Sequence, residues 1–303
     1  MSEILVVGSL AYDSLKTPSG KKDRALGGSA NYFSVAASMM AKVRVVGVVG
    51  EDYSQSDMEV LTKRNVDISG MTKVPGKTFH WEGSYGEDLN EATTLKTELN
   101  VFEQFNPQLP AHYTDSKYVF LANIHPALQM QVLNQVKSPI FIGCDTMNFW
   151  IQGARKDLDK VLGKINVVLI NEGEAKMLTG KKNAVSAAQE ITKMGPQYVV
   201  IKRGEYGFVM YSKENGYFSL PAFPTPEVVD PTGAGDTFAG GFFGYLASLS
   251  RPPQAHDLRQ ACVRGAIMAS FTIQDFGLGA LSKVTMGDIE SKMSDYLKII
   301  ALA

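Results

Sequence analysis

The chain has 303 residues, a formal net charge of −1 and 45% hydrophobic residues, which is enough for a large buried core. A near-zero charge without blocks of like charge argues against nucleic acid or a membrane surface as the main partner. The two cysteines lie in apolar runs and the four histidines are scattered, which argues against a disulfide framework and against a zinc or iron motif. The sequence has no run of 18 apolar residues, as a membrane span would need, and no leader pattern. We therefore expect a cytoplasmic protein.

Short apolar runs alternate with longer helical patterns along the chain. The first runs predict strands at 4–8 and 43–50, with helices at 31–42 and 58–65. Later apolar runs predict further strands at 118–122, 139–144, 166–170 and 198–202. Because these runs are apolar at nearly every position, they suit strands that are covered on both faces. They therefore predict an α/β fold in which helices flank a mostly parallel central sheet.

Residues 77–102 interrupt this rhythm. In KTFHWEGSYG, the large side chains of Phe79, Trp81 and Tyr85 alternate with polar ones. In TTLKTELNVF, one face of the predicted strand carries Leu95, Thr97, Leu99 and Val101. Alternation with a period of two predicts half-exposed strands, and hence a small second sheet outside the main one, which a stretch near 12–25 is expected to join.

The stretch DPTGAGDTFAGGFFG at 230–244 carries the strongest chemical signal. Glycines at 233 and 235 let the backbone expose successive N–H groups, and Asp236 lies in the first turn of the apolar helix that follows. A helix N-terminus attracts phosphate. The alternative is an ordinary glycine-rich turn with Asp236 as a cap. The spacing matches neither a P-loop nor the GxGxxG of a dinucleotide-binding fold.

The segment DPTGAGDTFAGG closely resembles the C-terminal signature of the ribokinase-like (PfkB-type) carbohydrate kinases. The other motifs follow in family order: GSLAYD, Gly27-Gly28, VGVVGED, NEGE and KRGEYG. The resemblance extends over essentially the whole chain, and it implies a three-layer α/β/α core with a small β-sheet lid over the substrate. The implied core comprises 1–10, 26–72 and 106–303, and the implied lid comprises 11–25 and 73–105.

The resemblance also implies roles for individual residues. Backbone N–H groups for the transferred phosphoryl group would come from Gly233, Ala234 and Gly235, with Asp236 as the base. The substrate side would comprise Asp13, Gly27, Gly28, Asn31 and Tyr32. The nucleotide side would comprise Lys202, Gly204, Gly207 and Thr232. Asn171 and Glu174 would hold a water-bound Mg²⁺, and Asp230 is a candidate ligand for a monovalent cation such as K⁺.

Two of these assignments have structural alternatives. Asn171 followed by Glu174 is also a capping-box pattern, and KRGEYG also describes a hairpin turn. The sequence departs from the family at GGSANY, where Tyr32 replaces the usual asparagine and Asn31 comes one position early. It departs again at DTMNFW (145–150), which keeps the aspartate and the tryptophan but loses a proline and an arginine.

We therefore expect an ATP- and Mg²⁺-dependent kinase that phosphorylates a primary hydroxyl of a sugar, as ribokinase and fructokinase do. The first alternative is an adenosine-like nucleoside kinase, in which Tyr32 and the aromatic residues of 79–85 stack on a base; those residues could equally serve lid packing or a homodimer through the lid. A non-catalytic sugar or nucleotide binder is a third reading. The helix N-terminus is expected to stabilise ionised Asp236 and so to make it a weak base.

Overall fold

The computed structural model describes residues 2–301 of the chain. Within them lie thirteen strands, in chain order β1 Glu3–Val7, β2 Ala11–Thr17, β3 Gly20–Gly27, β4 Lys42–Val49, β5 Asp67–Lys73, β6 Phe79–Tyr85, β7 Ala92–Glu98, β8 Tyr118–Leu121, β9 Phe141–Cys144, β10 Val167–Asn171, β11 Tyr198–Lys202, β12 Phe208–Ser212 and β13 Gly216–Leu220. The same range contains ten α-helices: α1 Ser29–Ala37, α2 Gln55–Thr62, α3 Pro126–Leu133, α4 Asn148–Gly153, α5 Arg155–Leu162, α6 Glu172–Thr179, α7 Ala184–Ile191, α8 Ala234–Ser248, α9 Ala255–Thr272 and α10 Met286–Ile300.

Nine strands form the main sheet in the order β13-β12-β11-β10-β9-β8-β1-β4-β5. The pairs from β5 to β11 are parallel, and β12 and β13 add an antiparallel edge. Side chains of β1 alternate between two cores, with Ile4 and Val6 in one and Leu5 and Val7 in the other. Helices α1, α8 and α9 contribute to the first core, and α3, α5, α6 and α7 to the second. The predicted parallel sheet between two helical layers is confirmed.

The remaining four strands form the small sheet in the order β3-β2-β6-β7. It is confirmed as a separate sheet, but its last strand is shorter than the alternation predicted. Strand β7 ends at Glu98, and Asn100–Gln104 form a 3₁₀ turn. The prediction that Leu99 and Val101 continue the strand is therefore wrong. The reason is tertiary: Val101 and Phe102 pack against the second core of the main sheet, so the chain leaves the strand after Glu98.

Glycines let α8 pack closely against its neighbours on the first face of the sheet. A Cβ on Gly240 would lie 2.5 Å from the carbonyl oxygen of Phe33 in α1, and one on Gly241 would lie 2.8 Å from Cγ of Met268 in α9. These distances are too short for any side chain. The glycines of AGGFFG thus set the position of α8, whose first turn carries Asp236.

Gly240→Ala should lower the free energy of unfolding by about 1–3 kcal/mol, because the added methyl group forces α8 away from α1. The matched control is Gly153→Ala at the end of α4, where an added Cβ meets nothing within 4 Å. This control should be neutral or slightly stabilising. Urea denaturation of both variants measures the difference, and equal stabilities would contradict the packing argument.

Candidate active site

The loop from 230 to 236 is anchored by a buried carboxylate. Asp230 is fully buried, and its two oxygens accept hydrogen bonds from the backbone N–H groups of Thr232 at 2.9 Å and Gly277 at 3.0 Å. Burial raises the pKa of Asp230, and these hydrogen bonds oppose the shift. Gly233 then caps α8 with a left-handed backbone, φ +75°, which favours glycine. The first N–H groups of α8 lack partners within the helix, and a helix N-terminus of this kind favours an anion, although the N–H of Ala234 donates to Pro231 O at 3.2 Å.

Asp236 lies in the first turn of α8, as predicted. Its side chain is half-buried. Burial, and after it the neighbouring Asp145, raises the pKa of Asp236 to about 7, while Lys202 and a backbone N–H oppose the shift. The expectation that the helix N-terminus makes this carboxylate a weak base is therefore wrong, because desolvation and a like charge outweigh the helix dipole here.

Lys202 extends from the end of β11 to the start of α8. Its Nζ lies 2.9 Å from Oδ2 of Asp145, and a Cβ added to Gly235 would lie 2.9 Å from the same nitrogen. Burial alone would lower the pKa of Lys202, but Asp145 and two further carboxylates outweigh burial, and the pKa is raised. A protonated ammonium group is thus held beside the N–H groups of the loop.

Asp145 was not among the predicted site residues. It follows β9 directly and is buried, at 6% exposure. Its signal in the sequence is DTMNFW, where an aspartate follows a buried strand without the proline and arginine of the family pattern. Phe149 stands where the family pattern has its arginine; its side chain is exposed and packs edge-on against Trp150. The positive charge at this part of the site comes from Lys202 instead.

Asn171 and Glu174 form the capping box that their spacing allows. The Asn171 side chain accepts from the N–H of Glu174 at 2.8 Å, and Oε2 of Glu174 accepts from the N–H of Asn171 at 3.0 Å. Burial, followed by Asp145, raises the pKa of Glu174 to about 8, and Lys202 opposes the shift. The pair therefore caps α6 and also places a carboxylate next to Asp145, Lys202 and Asp236.

The KRGEYG loop is a hairpin between β11 and β12, and its two glycines serve different contacts. Gly207 has φ +80°, and a Cβ there would lie 2.1 Å from the carbonyl oxygen of Leu220 on β13. Gly204 has φ +56° and lies against the side chain of Asn90 at the tip of the small sheet, where a Cβ would be 1.8 Å from Oδ1. The small sheet therefore reaches the predicted nucleotide loop.

The predicted substrate side lies where the small sheet meets α1. The carboxylate of Asp13 covers Gly27 so closely that a Cβ there would lie 1.9 Å from Oδ2. Gly28 has φ +93°, and a Cβ there would lie 2.6 Å from the carbonyl oxygen of Ser9. Burial, then Asp230 and Asp236, raises the pKa of Asp13 to about 8. Both glycines are thus required by close approach of other groups.

Asn31 and Tyr32 follow in the first turns of α1. Both ends of the Asn31 amide are engaged within the protein: Nδ2 donates to Gly27 O at 2.6 Å, and Oδ1 accepts from the hydroxyl of Tyr53 at 3.2 Å. The structure therefore places Asn31 behind the substrate side. Tyr32 is 1% exposed, and its ring packs against Gly233, where a Cβ would lie 2.4 Å from Cζ.

The three aromatic residues of β6 do not share one environment. Phe79 stacks on Phe102 with ring centroids 5.3 Å apart, in the packing between the two sheets. Tyr85 reaches the loop before α8, where its hydroxyl accepts a hydrogen bond from Thr232 Oγ1 at 3.1 Å. Burial raises the pKa of Tyr85 to about 12, with smaller contributions from Asp230 and Asp13. Phe79 is therefore not available to flank a base, contrary to the hypothesis that all three rings do so.

Comparison with known proteins identifies the family of this chain. The sequence profile of the family described as pfkB family carbohydrate kinase matches residues 1–285. This chain belongs to the pfkB family. It is a phosphotransferase with a hydroxyl group as acceptor, of the ribokinase-type sugar and nucleoside kinases.

Three similar proteins show the range of kinases that this chain resembles. A cytidine kinase of Thermococcus kodakarensis is 33% identical over 257 residues, which cover 83% of this chain and 90% of that protein. A nucleoside kinase of Methanothermobacter thermautotrophicus is 26% identical over 259 residues, covering 83% and 79%. A fructokinase double mutant from Vibrio cholerae, solved in fructose-, ADP- and potassium-bound form, has a TM-score of 0.80 at 19% identity and covers 97% of this chain and 98% of that chain. This last likeness shows a shared fold.

Within residues 2–301, no three His, Cys, Asp or Glu side chains are grouped so that they could hold a metal ion directly. The neighbouring carboxylates of Asp145, Glu174 and Asp236 are oxygen donors, the type that Mg²⁺ takes, and Mg²⁺ usually keeps several of its waters and needs few protein ligands. No helix in the same range is long and apolar enough to cross a membrane.

Asp236→Asn should reduce turnover by roughly 10²–10⁴-fold, because it removes the proton acceptor and keeps the side-chain shape. Thermal stability and nucleotide binding should be retained. Asp230→Asn should reduce turnover less but lower stability, since its amide replaces one acceptor oxygen with a donor facing a backbone N–H. Asp295→Asn, an exposed carboxylate on α10, is the control. Near-normal turnover in folded Asp236→Asn would contradict this role.

The raised pKa of Asp236 predicts the pH dependence. A base must be ionised, so kcat/KM, which reports the free enzyme, should fall as pH decreases through about 7. Lys202→Met should move this midpoint to higher pH, because the lost ammonium group favoured the ionised carboxylate, whereas Lys298→Met at the surface should not. Initial rates across the pH range measure both, and an unmoved midpoint in Lys202→Met would count against the coupling.

Proposed function

We propose that this pfkB-family protein uses ATP to phosphorylate the primary hydroxyl of a nucleoside. The observation that carries the nucleoside assignment is the position of Trp81. Asp13 and Trp81 are register partners on the adjacent strands β2 and β6, so their side chains lie on the same face of the small sheet. An indole ring is thus next to the carboxylate that the family resemblance assigns to the sugar.

The indole of Trp81 lies flat on its own strand. A Cβ on Gly83 would be 2.1 Å from Cη2 of the indole, so only glycine permits this arrangement. The indole Nε1 donates to Thr94 Oγ1 at 3.2 Å, which fixes the orientation of the ring. One face of the indole is covered by Gly83, and the residue is only half-buried; in this proposal the opposite face stacks on a nucleobase. Stacking between a base and an aromatic side chain is tolerant of base identity.

The residues around α8 support the chemistry. Phosphoryl transfer needs positioning and charge neutralisation more than covalent catalysis. In this proposal Asp236 accepts the proton of the acceptor hydroxyl. The N–H groups of Gly233, Ala234 and Gly235 and the ammonium group of Lys202 stabilise the charge on the transferred group. Asp13 holds the other hydroxyls of the sugar.

Asn171 and Glu174 are proposed to hold the water shell of Mg²⁺ beside Asp145. Three carboxyl groups, those of Asp145, Glu174 and Asp236, surround the single ammonium group of Lys202. Their combined negative charge exceeds its positive charge, so a divalent cation would balance the site. When bound, Mg²⁺ supplies neutralisation of phosphate charge. The proposed nucleotide contacts are Lys202, Gly204, Gly207 and Thr232. Asp230 is the proposed ligand of a monovalent cation.

The small sheet is proposed to act as the lid. Tyr85 contacts Thr232 and Asn90 contacts Gly204, so the sheet bridges the substrate side and the nucleotide loop. This arrangement would exclude water, which otherwise competes as the acceptor. The outer strand β7 carries Leu95 at 55% exposure, and a homodimer through the lid would use this edge.

A plain sugar is the second candidate substrate, supported by the shared fold with fructokinase. ADP release measured over a panel of ribonucleosides, ribose and fructose separates the two. We expect the highest kcat/KM with a nucleoside. A clear preference for a free sugar would overturn the nucleoside assignment, and no ADP release with any acceptor would overturn the kinase proposal.

Trp81→Ala should weaken nucleoside binding by about 1–3 kcal/mol, the range for base stacking, and should affect a free sugar less. Gly83→Ala tests the same idea without removing the ring, because the methyl group displaces the indole from the strand. Leu95→Ala in the neighbouring strand is the matched control. Titration of each variant with nucleoside measures the change, and unchanged binding in Trp81→Ala would remove the main support for stacking.

A further inference from the structure

The backbone of Arg24, on strand β3 of the small sheet, has a left-handed conformation with φ +52°. Among residues 2–301, three other non-glycine residues have a positive φ, namely Asn65, Asn100 and Ser250. All three have short side chains, and asparagine takes this conformation more readily than most residues. Arg24 is the only one of the four with a long side chain. Such a strained residue persists only where the surrounding contacts hold it, and strain of this kind often lies near a functional site.

The strained residue belongs to a β-bulge beside Asp13. The pairing of β2 with β3 shifts by one residue between Asp13 and Leu15, so two residues of β3, the second of them Arg24, lie opposite Ser14. Arg24 N–H donates to Ser14 Oγ at 3.2 Å. A bulge bends its strand and changes the direction in which neighbouring side chains point. The bulge thus lies next to the carboxylate that covers Gly27 at the start of the substrate side.

The guanidinium group of Arg24 holds the bulge from the face opposite to Asp13. Its central carbon lies 4.0 Å above the ring of Tyr12, and Nη2 donates to Oδ2 of Asp52 at 3.0 Å. Tyr12 directly precedes Asp13 on β2, so their side chains point to opposite faces of the sheet. The Arg24 side chain is 51% exposed, and an ion pair at such a site contributes little to stability. Stability alone therefore does not explain why the chain keeps a strained arginine here.

Asp52 connects both neighbours of β2 to the main body. It lies in the loop after β4 of the main sheet. While its Oδ2 accepts from Arg24 on β3, its Oδ1 accepts from N–H and Oγ1 of Thr78, both at 2.7 Å. Thr78 is buried and directly precedes β6. Because β2 lies between β3 and β6, one carboxylate of the main body fixes the strands on both sides of Asp13.

We propose that Arg24 is a positioning residue, which acts through the bulge and Asp52 to hold the carboxylate of Asp13 in place for the substrate. The inference rests on the proposed function, because that proposal assigns Asp13 to the sugar. Arg24 itself does not contact the substrate in this arrangement. Hydrogen bonds depend steeply on distance and angle, and a misplacement of about 1 Å can cost up to about 100-fold in rate. A bulge that relaxes without its guanidinium group would therefore weaken the hold of Asp13 on the sugar.

Arg24→Gly is the direct test, because glycine takes φ +52° readily and only the side chain is lost. This variant should raise KM for the preferred nucleoside by about 5- to 30-fold, within the range for a hydrogen bond to a charged group, and keep kcat within about 2-fold. Asp52→Asn should raise KM in the same direction. Lys21→Gly is the matched control, because it removes an exposed cation of β3 that pairs with Asp23, and it should keep the KM of the parent protein.

A double-mutant cycle with Asp13→Asn separates positioning from a merely structural role. If Arg24 acts through Asp13, adding Arg24→Gly to Asp13→Asn should change nucleoside binding little, as measured by titration without ATP. The inference is overturned if Arg24→Gly keeps the KM of the parent, or if its effect is equally large in Asp13→Asn. Asp52→Asn, alone and combined with Asp13→Asn, decides the same question if Arg24→Gly does not fold. Should no nucleoside be phosphorylated, the nucleoside assignment fails, and the same comparison on the accepted sugar still decides the role of Arg24.

Discussion

The buried carboxylate of Asp230 fixes the N-terminus of α8, and the rest of the site is arranged around that point. By accepting the N–H groups of Thr232 and Gly277, it ties the loop before α8 to the segment after α9. The left-handed Gly233 can then start the helix at Ala234, with Asp236 in its first turn. Other contacts depend on the same loop: Tyr85 binds Thr232, and Tyr32 packs on Gly233.

Negative charge is concentrated where the strands of the main sheet end. Asp145 follows β9, Glu174 lies in the first turn of the helix after β10, and Asp236 lies nearby at the start of α8. Desolvation and mutual repulsion raise the pKa of Asp236 and Glu174, and Lys202 is the cation that opposes both shifts. Such a cluster is unfavourable in an empty protein. It suits a site that receives a divalent cation and a polyphosphate together, because each ligand then compensates the charge of the other.

The small sheet is joined to the main body at the point where the substrate side begins. Strand β3 ends at Gly27, and α1 begins two residues later. Asp13 on β2 covers Gly27, so the carboxylate belongs to the small sheet and its support belongs to the core. Trp81 shares the face of Asp13, and Tyr85 reaches the loop before α8. Movement of this sheet would therefore displace the proposed substrate contacts and the proposed phosphoryl site together.

The sequence by itself determined the family, the central sheet, the existence of a second sheet, and the position of Asp236 in the first turn of α8. These features follow from local causes: continuous apolar runs, period-two alternation, and glycines where the backbone must take special conformations. Local reasoning failed where the outcome depends on distant residues. It did not find Asp145 as the partner of Lys202, and it extended β7 through Leu99 and Val101, which packing against the main core prevents.

Tertiary structure alone decided the electrostatics and the contacts of the aromatic residues. The helix dipole can be predicted from sequence, but the burial and the neighbouring Asp145 that outweigh it at Asp236 cannot. Likewise, alternation places Phe79, Trp81 and Tyr85 on one face of β6, yet the folded protein gives each a different partner: Phe102, Thr94 and Thr232. The physical reason is the same in both cases. Periodicity in a sequence fixes which way a side chain points, whereas desolvation and pairing depend on what the rest of the chain brings to it.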